Sequence, residues 1–212
     1  TKKIKILIAD DHPIVREGLK QIISKADELE VAGEALNGME VIQKVKDEEW
    51  DIVVLDIGMP GRDGLDVLKE IKEAKPELPV LILSMYPEEQ VGLRTFKLGA
   101  SGYMNKETAP KELVNAIRKI CSGGKYISPA LAEFLISGYE SRTESPINIL
   151  SNREFQVLRM IATGKDADEV AEELFISVKT VRTYRDRLLE KLKLKNDVEL
   201  TQKVGEAIIN VL

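Results

Sequence analysis

The chain has 212 residues, of which 43% are hydrophobic and 32% are charged, and its formal net charge at pH 7 is −5. These values are typical of a soluble protein of one or two domains and argue against a general polyanion-binding protein, although a local basic surface remains compatible with them. No apolar stretch approaches the roughly 18 to 20 residues of a membrane helix, no signal peptide is visible, and the single cysteine, Cys121, excludes an internal disulfide. We therefore expect a cytoplasmic protein.

Apolar segments with strand character alternate with helix-period segments over the first part of the chain. The predicted strands are residues 4–10, 29–36, 51–57, 79–84 and 102–106. The predicted helices are residues 14–25, 38–47, 64–74, 87–98 and 109–121. This alternation predicts a doubly wound α/β domain, in which helices cover both faces of a parallel five-stranded sheet. The third and fourth strands are almost continuously apolar, as expected of strands that are buried on both faces.

The pattern changes after residue 122. A short apolar helix is predicted at 130–136, and the polar segment 137–146, which contains Gly and Pro, is typical of a linker. Beyond it no strand pattern remains, and the predicted helices are residues 151–163, 167–174, 178–193 and 197–211. Gly164 can end the first of these helices and Ser177 can cap the third. The expected domains are an α/β domain at 1–122, a linker with a short helix at 123–148, and an all-α four-helix domain at 149–212.

Polar side chains stand where four of the predicted strands end. They are Asp10, Asp11, Asp56, Ser84 and Lys106. Because ligands of open α/β sheets bind beyond the carboxyl ends of the strands, we expect these side chains to form one pocket. Three carboxylates suit Mg²⁺, which prefers oxygen ligands and shares its coordination with phosphate. One carboxylate is then a candidate nucleophile that forms an aspartyl phosphate, while the lysine and the serine hold the transferred group. The alternative is a set of solvated carboxylates at strand ends.

Three segments around these positions resemble the receiver domain of two-component response regulators. Their sequences are Asp-Asp-His-Pro-Ile-Val-Arg-Glu-Gly-Leu at 10–19, Leu-Asp-Ile-Gly-Met-Pro-Gly-Arg-Asp-Gly at 55–64, and Leu-Gly-Ala-Ser-Gly-Tyr-Met-Asn-Lys at 98–106. The first segment is especially similar to the NarL/FixJ subfamily. The resemblance implies that Asp56 accepts a phosphoryl group from a sensor histidine kinase.

The same resemblance implies roles for the other residues of the pocket. The ligands of Mg²⁺ would be Asp11, Asp56 and the backbone carbonyl of Gly58, with Asp10 acting through a water molecule. The residues that hold the phosphoryl group would be Ser84 and Lys106. Tyr103 lies at the position of the family's switch aromatic, which is expected to turn when the serine moves towards the phosphoryl group. The alternative for Tyr103 is a partly buried structural side chain.

Four further positions carry expectations of their own. Gly58 has no side chain to screen the nucleophile from water, which predicts fairly ready loss of the phosphoryl group. His12 is the only histidine; we interpret it as a loop residue and not as a catalytic one. Trp50 is interpreted as a packing residue. Pro110 lies four residues after Lys106, whereas the family usually places proline directly after the lysine, so the local loop shape departs from the family's pattern.

Residues 149–212 resemble the LuxR-type helix-turn-helix domain. The segments that carry this resemblance are Leu-Ser-Asn-Arg-Glu-Phe-Gln-Val-Leu at 150–158, Ile-Ala-Thr-Gly at 161–164, and Val-Ala-Glu-Glu-Leu-Phe-Ile-Ser-Val-Lys-Thr-Val-Arg at 170–182. Val181, Leu188 and Leu192 fall on one face of the third predicted helix, which leaves the rest of that helix for a DNA groove. The resemblance implies base contacts from Arg182, Thr183 and Asp186, and backbone contacts from Thr180, Tyr184 and Arg187. Lys179 lies on the same exposed face.

Charge is distributed unevenly over this second domain. Segment 179–195 has seven basic and two acidic residues, a net charge of +5, whereas segment 166–173 has five acidic residues and no basic one. The basic helix can therefore meet phosphates while the acidic helix faces away. Asp168, Asp186 and Asp197 depart from the family's pattern, and each would repel phosphate, although Asp186 can instead accept from a cytosine amino group.

The last predicted helix offers an apolar stripe that includes Val204, Ile208 and Val211. The resemblance favours a dimer contact here, which would place two recognition helices about one DNA turn apart. The alternative is that these side chains only close the small helical core.

The resulting hypothesis is a transcription regulator that a sensor histidine kinase phosphorylates and that binds double-stranded promoter DNA as a phosphorylation-favoured homodimer, without a membrane partner. Its own chemistry would be limited to self-phosphorylation from a phosphodonor and self-dephosphorylation. One alternative is a signalling adaptor whose helix-turn-helix domain has lost DNA binding. Another is an aspartyl-phosphate phosphohydrolase, although the adjacent acidic pair and the lack of a substrate-enclosing insertion argue against it.

Overall fold

The computed structural model describes residues 2–85, 88–129, 131–133, 149–196 and 198–200. The chain divides into two compact units, Thr1–Glu140 and Ser141–Leu212. The predicted linker at 137–146 and all but the beginning of the last predicted helix lie outside the described residues. The predicted boundaries at residues 122 and 148 therefore stay a prediction.

The first unit is built on five parallel strands in the order β2-β1-β3-β4-β5. The strands are β1 (Ile4–Ala9), β2 (Leu29–Ala35), β3 (Ile52–Asp56), β4 (Val80–Ser84) and β5 (Gly102–Asn105). The helices that connect and follow them are α1 (Pro13–Ile23), α2 (Gly38–Asp47), α3 (Gly64–Ala74), α4 (Glu88–Lys97) and α5 (Ala109–Cys121). The doubly wound α/β fold with a parallel five-stranded sheet is confirmed, and most element ends agree with the prediction within two residues.

One face of the sheet packs against α1 and α5. Successive side chains of a strand point to opposite faces, and alternate strand residues join one apolar cluster with these two helices. The strand members are Ile6, Ile8, Ile52, Val54, Leu81, Leu83 and Met104, and the helix members include Leu19, Ile23, Leu113, Ile117 and Ile120. Every residue of β3 and β4 is buried, as their continuous apolar sequences predict for strands covered on both faces.

The pairing of β1 with β2 contains an irregularity that the hydrophobic pattern does not reveal. Ile6 pairs with Val31 but Leu7 pairs with Gly33, so one residue of β2 is left over. A Cβ at Gly33 would lie 2.4 Å from the ring of Trp50, so only glycine lets the ring pack this closely on the strand. Trp50 also donates from Nε1 to the Lys44 carbonyl at 3.0 Å. The prediction that Trp50 is a packing residue is confirmed.

The second unit has helices and no strand in the part that the structure describes. Its helices are α6 (Asn152–Ala162), α7 (Ala167–Leu174) and α8 (Val178–Leu192), and residues 198–200 are also helical. Ser177 accepts a hydrogen bond from the Thr180 amide and so caps α8, which confirms that prediction. The predicted end of α8 at residue 193 is wrong by one residue, because Lys193 adopts a left-handed φ of 56° and closes the helix.

Both α6 and α7 pack against α8. Ser151 and Glu154 form a reciprocal capping box at the start of α6, which satisfies two backbone donors at that helix end. Among the residues described, no helix combines the length and the apolar character that crossing a membrane requires.

Candidate functional site

The polar side chains at the strand ends come together as the parallel register requires. Ala9 of β1 pairs with Leu55 of β3, so Asp10 and Asp56 are the next residues along two neighbouring strands. Ser84 pairs with Asn105, the residue before Lys106. Four strands therefore deliver their last or next residue to one edge of the sheet, between the loops that lead into the following helices.

Lys106 joins two of the carboxylates. Its Nζ donates to Asp10 Oδ2 and to Asp56 Oδ2, both at 2.7 Å. The three side chains are largely buried, with 1% of Asp10, 4% of Asp56 and 11% of Lys106 exposed. Because an unpaired buried charge is costly, this shared ammonium group is what allows two acids to lie side by side in the folded chain.

Backbone groups fix the orientation of the same carboxylates. The His12 amide donates to Asp10 Oδ1 at 2.8 Å, and the Gly58 amide donates to Asp56 Oδ1 at 2.7 Å. Each carboxylate therefore has one oxygen on a backbone amide and the other on Lys106. Arg16 supports the loop by donating to the Asp10 carbonyl at 2.9 Å.

Burial raises the pKa of Asp56 above its usual range, and the nearby Asp10 charge acts in the same direction. The charge and hydrogen bond of Lys106 and the hydrogen bond from Gly58 oppose this effect. Burial lowers the pKa of Lys106, but the charges and hydrogen bonds of Asp56 and Asp10 outweigh it, so its pKa is raised. Lys106 is therefore charged at neutral pH, and its charge favours the ionised form of Asp56.

The donor set at this edge fits a divalent cation. One oxygen of Asp11, Oδ1, is buried and has no hydrogen-bond partner within the described ranges. Ligand atoms of Asp10, Asp11, His12 and Asp56 all lie within 4.8 Å of one another. A cation with hard-oxygen preference such as Mg²⁺ would satisfy the orphaned oxygen and offset the negative charge of the cluster.

Ser84 in β4 and Tyr103 in β5 are fully buried. Ser84 ends β4, and its backbone carbonyl accepts from the Lys106 amide at 2.8 Å, which ties β4 to the lysine. Tyr103 lies next to Met104 in β5, so its ring points to the sheet face opposite the α1 and α5 cluster.

Gly58 lies against the Asp56 carboxylate. A Cβ at this position would be 3.2 Å from Asp56 Oδ1 and 3.6 Å from Oδ2. The absence of a side chain therefore leaves the approach to the carboxylate open on this side.

His12 lies in the loop between β1 and α1, as the sequence predicts. The structure also places its ring beside Asp10 and Asp11, which was not predicted. Its direct adjacency to two acids at a strand end was the only available signal, because neighbours in an irregular loop have no periodicity that predicts where a ring points.

A second candidate site is the outer surface of α8. Val181, Leu188 and Leu192 are buried. Lys179, Arg182, Thr183, Asp186 and Arg187 are exposed, and Thr180 and Tyr184 are partly exposed. All seven predicted DNA-contact residues therefore reach the surface of one helix. Asp186 Oδ1 lies 3.8 Å from Arg185 Nη1. The positive charge of Arg185 therefore offsets part of the repulsion between Asp186 and phosphate.

A buried carboxylate holds this helix in place. Glu154, which is 3% exposed, accepts from Lys191 Nζ at 2.7 Å and from the Ser151 amide at 2.7 Å. Burial raises the pKa of Glu154, but the bonds from Lys191 and Ser151 outweigh this and lower it overall. The capping box of α6 and the last turn of α8 are thereby joined through one side chain. Of the other predicted residues, Asp197, Val204, Ile208 and Val211 lie outside the described residues.

Both units match known families. The family model for the response regulator receiver domain matches residues 6–118. The family model for bacterial regulatory proteins of the luxR family matches residues 148–204. The two matched ranges contain the acidic cluster and the basic helix respectively.

Individual proteins are similar over nearly the whole chain. The oxygen regulatory protein NreC of Staphylococcus carnosus is 37% identical over 207 residues, covering 94% of this chain and 95% of NreC. The response regulator UvrY of Escherichia coli is 36% identical, covering 93% of this chain and 92% of UvrY. A solved structure of the response regulator RcsB of Salmonella typhimurium has a TM-score of 0.73 at 27% identity and covers 97% of this chain and 98% of RcsB. RcsB has also been solved bound to a promoter in the presence of the phosphomimetic BeF3−. That structure has a TM-score of 0.68 at 26% identity and covers 95% of this chain and 98% of RcsB.

Proposed function

The chain belongs to the NarL/FixJ family of two-component response regulators, with a receiver domain and a LuxR-type DNA-binding domain, and we propose that a phosphoryl group on Asp56 controls its binding to promoter DNA. The observation that carries this proposal is the buried arrangement of Asp56 and Asp10 around Lys106, beside an orphaned Asp11 oxygen. It provides an oriented acceptor carboxylate and an adjacent positive charge in one pocket.

The proposed chemistry is transfer of a phosphoryl group to Asp56 from a phosphohistidine of a sensor histidine kinase, or from a small acyl phosphate. A bond forms between an Asp56 oxygen and phosphorus, and the bond between phosphorus and the donor's leaving atom breaks, with the electron pair going to that atom. The residues that would hold Mg²⁺ are Asp11, Asp56 and Gly58, the last through its backbone carbonyl, and the bound ion would supply positive charge that offsets the charge on the transferred oxygens.

The residues around Asp56 would then hold the product. Lys106 already lies 2.7 Å from an Asp56 oxygen, so a small movement of its ammonium group places it on a phosphoryl oxygen. Ser84 ends the neighbouring strand and would donate its hydroxyl to another oxygen. Tyr103 would fill the space that the serine leaves, which changes the face of the receiver near β5 and α4.

The proposed output is binding of double-stranded promoter DNA through α8. RcsB has been solved as dimers bound to DNA and, separately, bound to a promoter in the presence of the phosphomimetic BeF3−. On these grounds we propose a phosphorylation-favoured homodimer for this chain. The stripe Val204, Ile208 and Val211 remains the proposed dimer contact. A cytoplasmic location belongs to the same proposal, because the promoter and the kinase's phosphodonor must both be accessible.

The direct test is a genome-wide DNA-binding map of the full-length protein with and without acyl phosphate. We expect discrete bound sites whose occupancy rises on treatment. A map in which treatment changes neither the sites nor their occupancy would contradict phosphate control.

The Gly58→Asn substitution is expected to lengthen the lifetime of the phosphorylated protein by roughly tenfold, which corresponds to about 1.4 kcal/mol on the hydrolysis barrier. The added side chain begins 3.2 Å from Asp56 Oδ1 and reduces the access of water to the phosphoryl group. The measurement is the decay of the phosphorylated mass after removal of the donor. Gly58→Ala is the matched control, because it adds bulk without an amide and should lengthen the lifetime less. Equal lifetimes in all three proteins would refute the screening argument.

The Arg187→Ala substitution is expected to weaken binding to duplex DNA of every sequence and to reduce the slope of log affinity against log salt by about one. Arg187 is exposed on α8, and its proposed partner is a phosphate. Binding to a random duplex over a salt series measures both effects. Lys69→Ala removes the same charge from an exposed position on α3 and should leave the slope unchanged. If the wild-type protein does not bind duplex at any salt concentration, the signalling adaptor is the better description.

A further inference from the structure

The ring of His12 faces two acids of the receiver pocket. Its Nδ1 lies 3.1 Å from Asp11 Oδ1 and 3.3 Å from Asp10 Oδ1, and the side chain is 65% exposed. His12 is the only histidine of the chain. The solvent side of the pocket therefore has an imidazole nitrogen that can act as a metal ligand, in addition to the carboxylate oxygens.

The contact with Asp11 leaves the carboxylate oxygen without a hydrogen bond. Asp11 Oδ1 is buried and, across the described parts of the chain, has no hydrogen-bond donor, although the imidazole nitrogen is only 3.1 Å away. The ring nitrogen and the carboxylate oxygen thus approach one another without one donating to the other. A cation held between these two atoms would satisfy the carboxylate oxygen and the ring nitrogen together.

The distances agree with the edge of an octahedral site. With metal–ligand bonds of about 2.1 Å at right angles, neighbouring ligand atoms are about 3.0 Å apart. The 3.1 Å between His12 Nδ1 and Asp11 Oδ1 is close to this value, and a ligand atom of Asp56 belongs to the same group of atoms within 4.8 Å of one another. His12 can thus bind the same cation as Asp11 and Asp56 without displacing either carboxylate.

The backbone holds His12 in this position. Pro13 follows it and disfavours a helical conformation of the residue before it, and His12 is extended, with φ −88° and ψ 112°. Its amide is bonded to Asp10 Oδ1 at 2.8 Å. Its side chain makes no capping bond to α1 although it stands at the N-cap, so the imidazole remains available as a ligand.

We propose that His12 is a direct ligand of the divalent cation in the receiver pocket and that it gives the pocket a preference for transition-metal ions such as Co²⁺ and Zn²⁺ over Mg²⁺. This inference rests on the proposed function, because it uses the metal site of the phosphoacceptor pocket. The chemical reason is that imidazole nitrogen is a good ligand for these ions and a poor one for Mg²⁺, which demands hard oxygen ligands. The phosphoacceptor site would then respond to the identity of the metal as well as to the kinase.

The test is metal binding by the full-length protein, purified without a histidine tag. Isothermal titration with Co²⁺ and with Mg²⁺ is compared for wild type, His12→Ala and His12→Asn. Both substitutions are expected to lower the affinity for Co²⁺ at least tenfold and to leave that for Mg²⁺ within about twofold. Asp11→Asn is the matched control, because loss of a shared carboxylate should weaken both ions.

Nuclear magnetic resonance gives a second measurement that does not depend on affinity. Because the chain has one histidine, its ring contributes a single pair of ¹⁵N resonances, and Zn²⁺ should shift the Nδ1 resonance specifically. Burial raises the pKa of Cys121 to about 11, which disfavours the thiolate that zinc would bind, and a Cys121→Ser background removes this thiol from the measurement.

Two results would overturn the inference, and they differ in what else they overturn. If Mg²⁺ binds the wild type but the His12 variants keep the same affinity for Co²⁺ and Zn²⁺ leaves the ring resonances unchanged, His12 is not a ligand and the proposed function stands. If neither Mg²⁺ nor Co²⁺ binds the wild type, the metal site of the proposed function fails together with the inference.

Discussion

The Asp56→Asn protein is expected to take up no phosphoryl group and to show the same occupancy of DNA sites with and without acyl phosphate. The amide that replaces the carboxylate has no oxyanion with which to attack phosphorus, so the loss should be complete and not partial. Uptake is measured by intact-protein mass spectrometry. DNA occupancy is measured by the binding map used for the wild type.

The same substitution is expected to increase the stability of the folded protein, although it abolishes phosphoryl uptake. Because burial raises the pKa of Asp56 above its usual value of 3.8, the charged carboxylate destabilises the folded state at neutral pH. In the absence of divalent metal, Asp56→Asn should therefore unfold at a higher denaturant concentration than the wild type at pH 7. This advantage should shrink as the pH falls towards 3.8, where Asp56 becomes protonated in both states.

A matched control separates the acceptor from acidic residues in general. Asp27 is an exposed acid of the same domain, and Asp27→Asn should be phosphorylated at the wild-type rate with unchanged DNA occupancy. If Asp56→Asn still gains the phosphoryl mass, another residue is the acceptor. If it fails to gain it but binds DNA as tightly as the treated wild type, phosphate control of DNA binding is wrong.

The Lys106→Ala protein is expected to lose about 3 kcal/mol of the free energy of unfolding at pH 7 without divalent metal. Lys106 is the shared counter-ion of Asp10 and Asp56, which are 1% and 4% exposed. Removing it leaves two buried acids side by side, and each then opposes ionisation of the other. Urea denaturation of the full-length protein measures the change.

The pH dependence of this loss follows from the two pKa shifts. The folded-state pKa of Lys106 is raised above 10.5, so its stabilising contribution is fully present below pH 10.5 and is lost only as the pH rises through the folded value. The pKa of Asp56 is also raised, so this acid takes up a proton in the folded variant as the pH falls. The cost of Lys106→Ala should therefore be largest near neutral pH and should decrease towards pH 3.8.

Two controls make the second prediction specific. Adding Asp10→Asn to the Lys106→Ala protein removes one of the two uncompensated acids and should restore part of the lost stability. Lys111→Ala, at an exposed position of α5, should change stability by less than about 0.5 kcal/mol. Equal urea midpoints for wild type and Lys106→Ala would show that the ion pairs carry no net stability.

The strands of the α/β unit were predictable because a short, continuously apolar segment is typical of a strand that is buried on both faces. The gathering of Asp10, Asp56 and Lys106 was predictable because parallel strands end at one edge of the sheet. The sharing of one ammonium group by two acids was not, because side-chain direction depends on bonds such as that from Gly58 to Asp56.

Contacts between distant polar residues were beyond the reach of sequence patterns. Glu154 and Lys191 are 37 positions apart and bonded to each other. The charge pattern of their two helices does not show that these side chains bond to each other and are not simply exposed to water. Phe175 adopts a left-handed φ of 53° at the end of α7, although glycine is the residue that usually signals such a turn. The extra residue in β2 lies beside Gly33, where the Trp50 ring packs on the strand, and such a tertiary contact has no signal in the local sequence.

The packing of Trp50 on Gly33 has a spectroscopic consequence. It is the only tryptophan of the chain, and it is buried in the receiver unit with its indole nitrogen bonded to a carbonyl of α2. Its intrinsic fluorescence therefore reports the folding of the receiver without any signal from the DNA-binding domain. Circular dichroism, by contrast, records helices of both units, so the two optical signals together distinguish separate unfolding of the domains from a single cooperative transition.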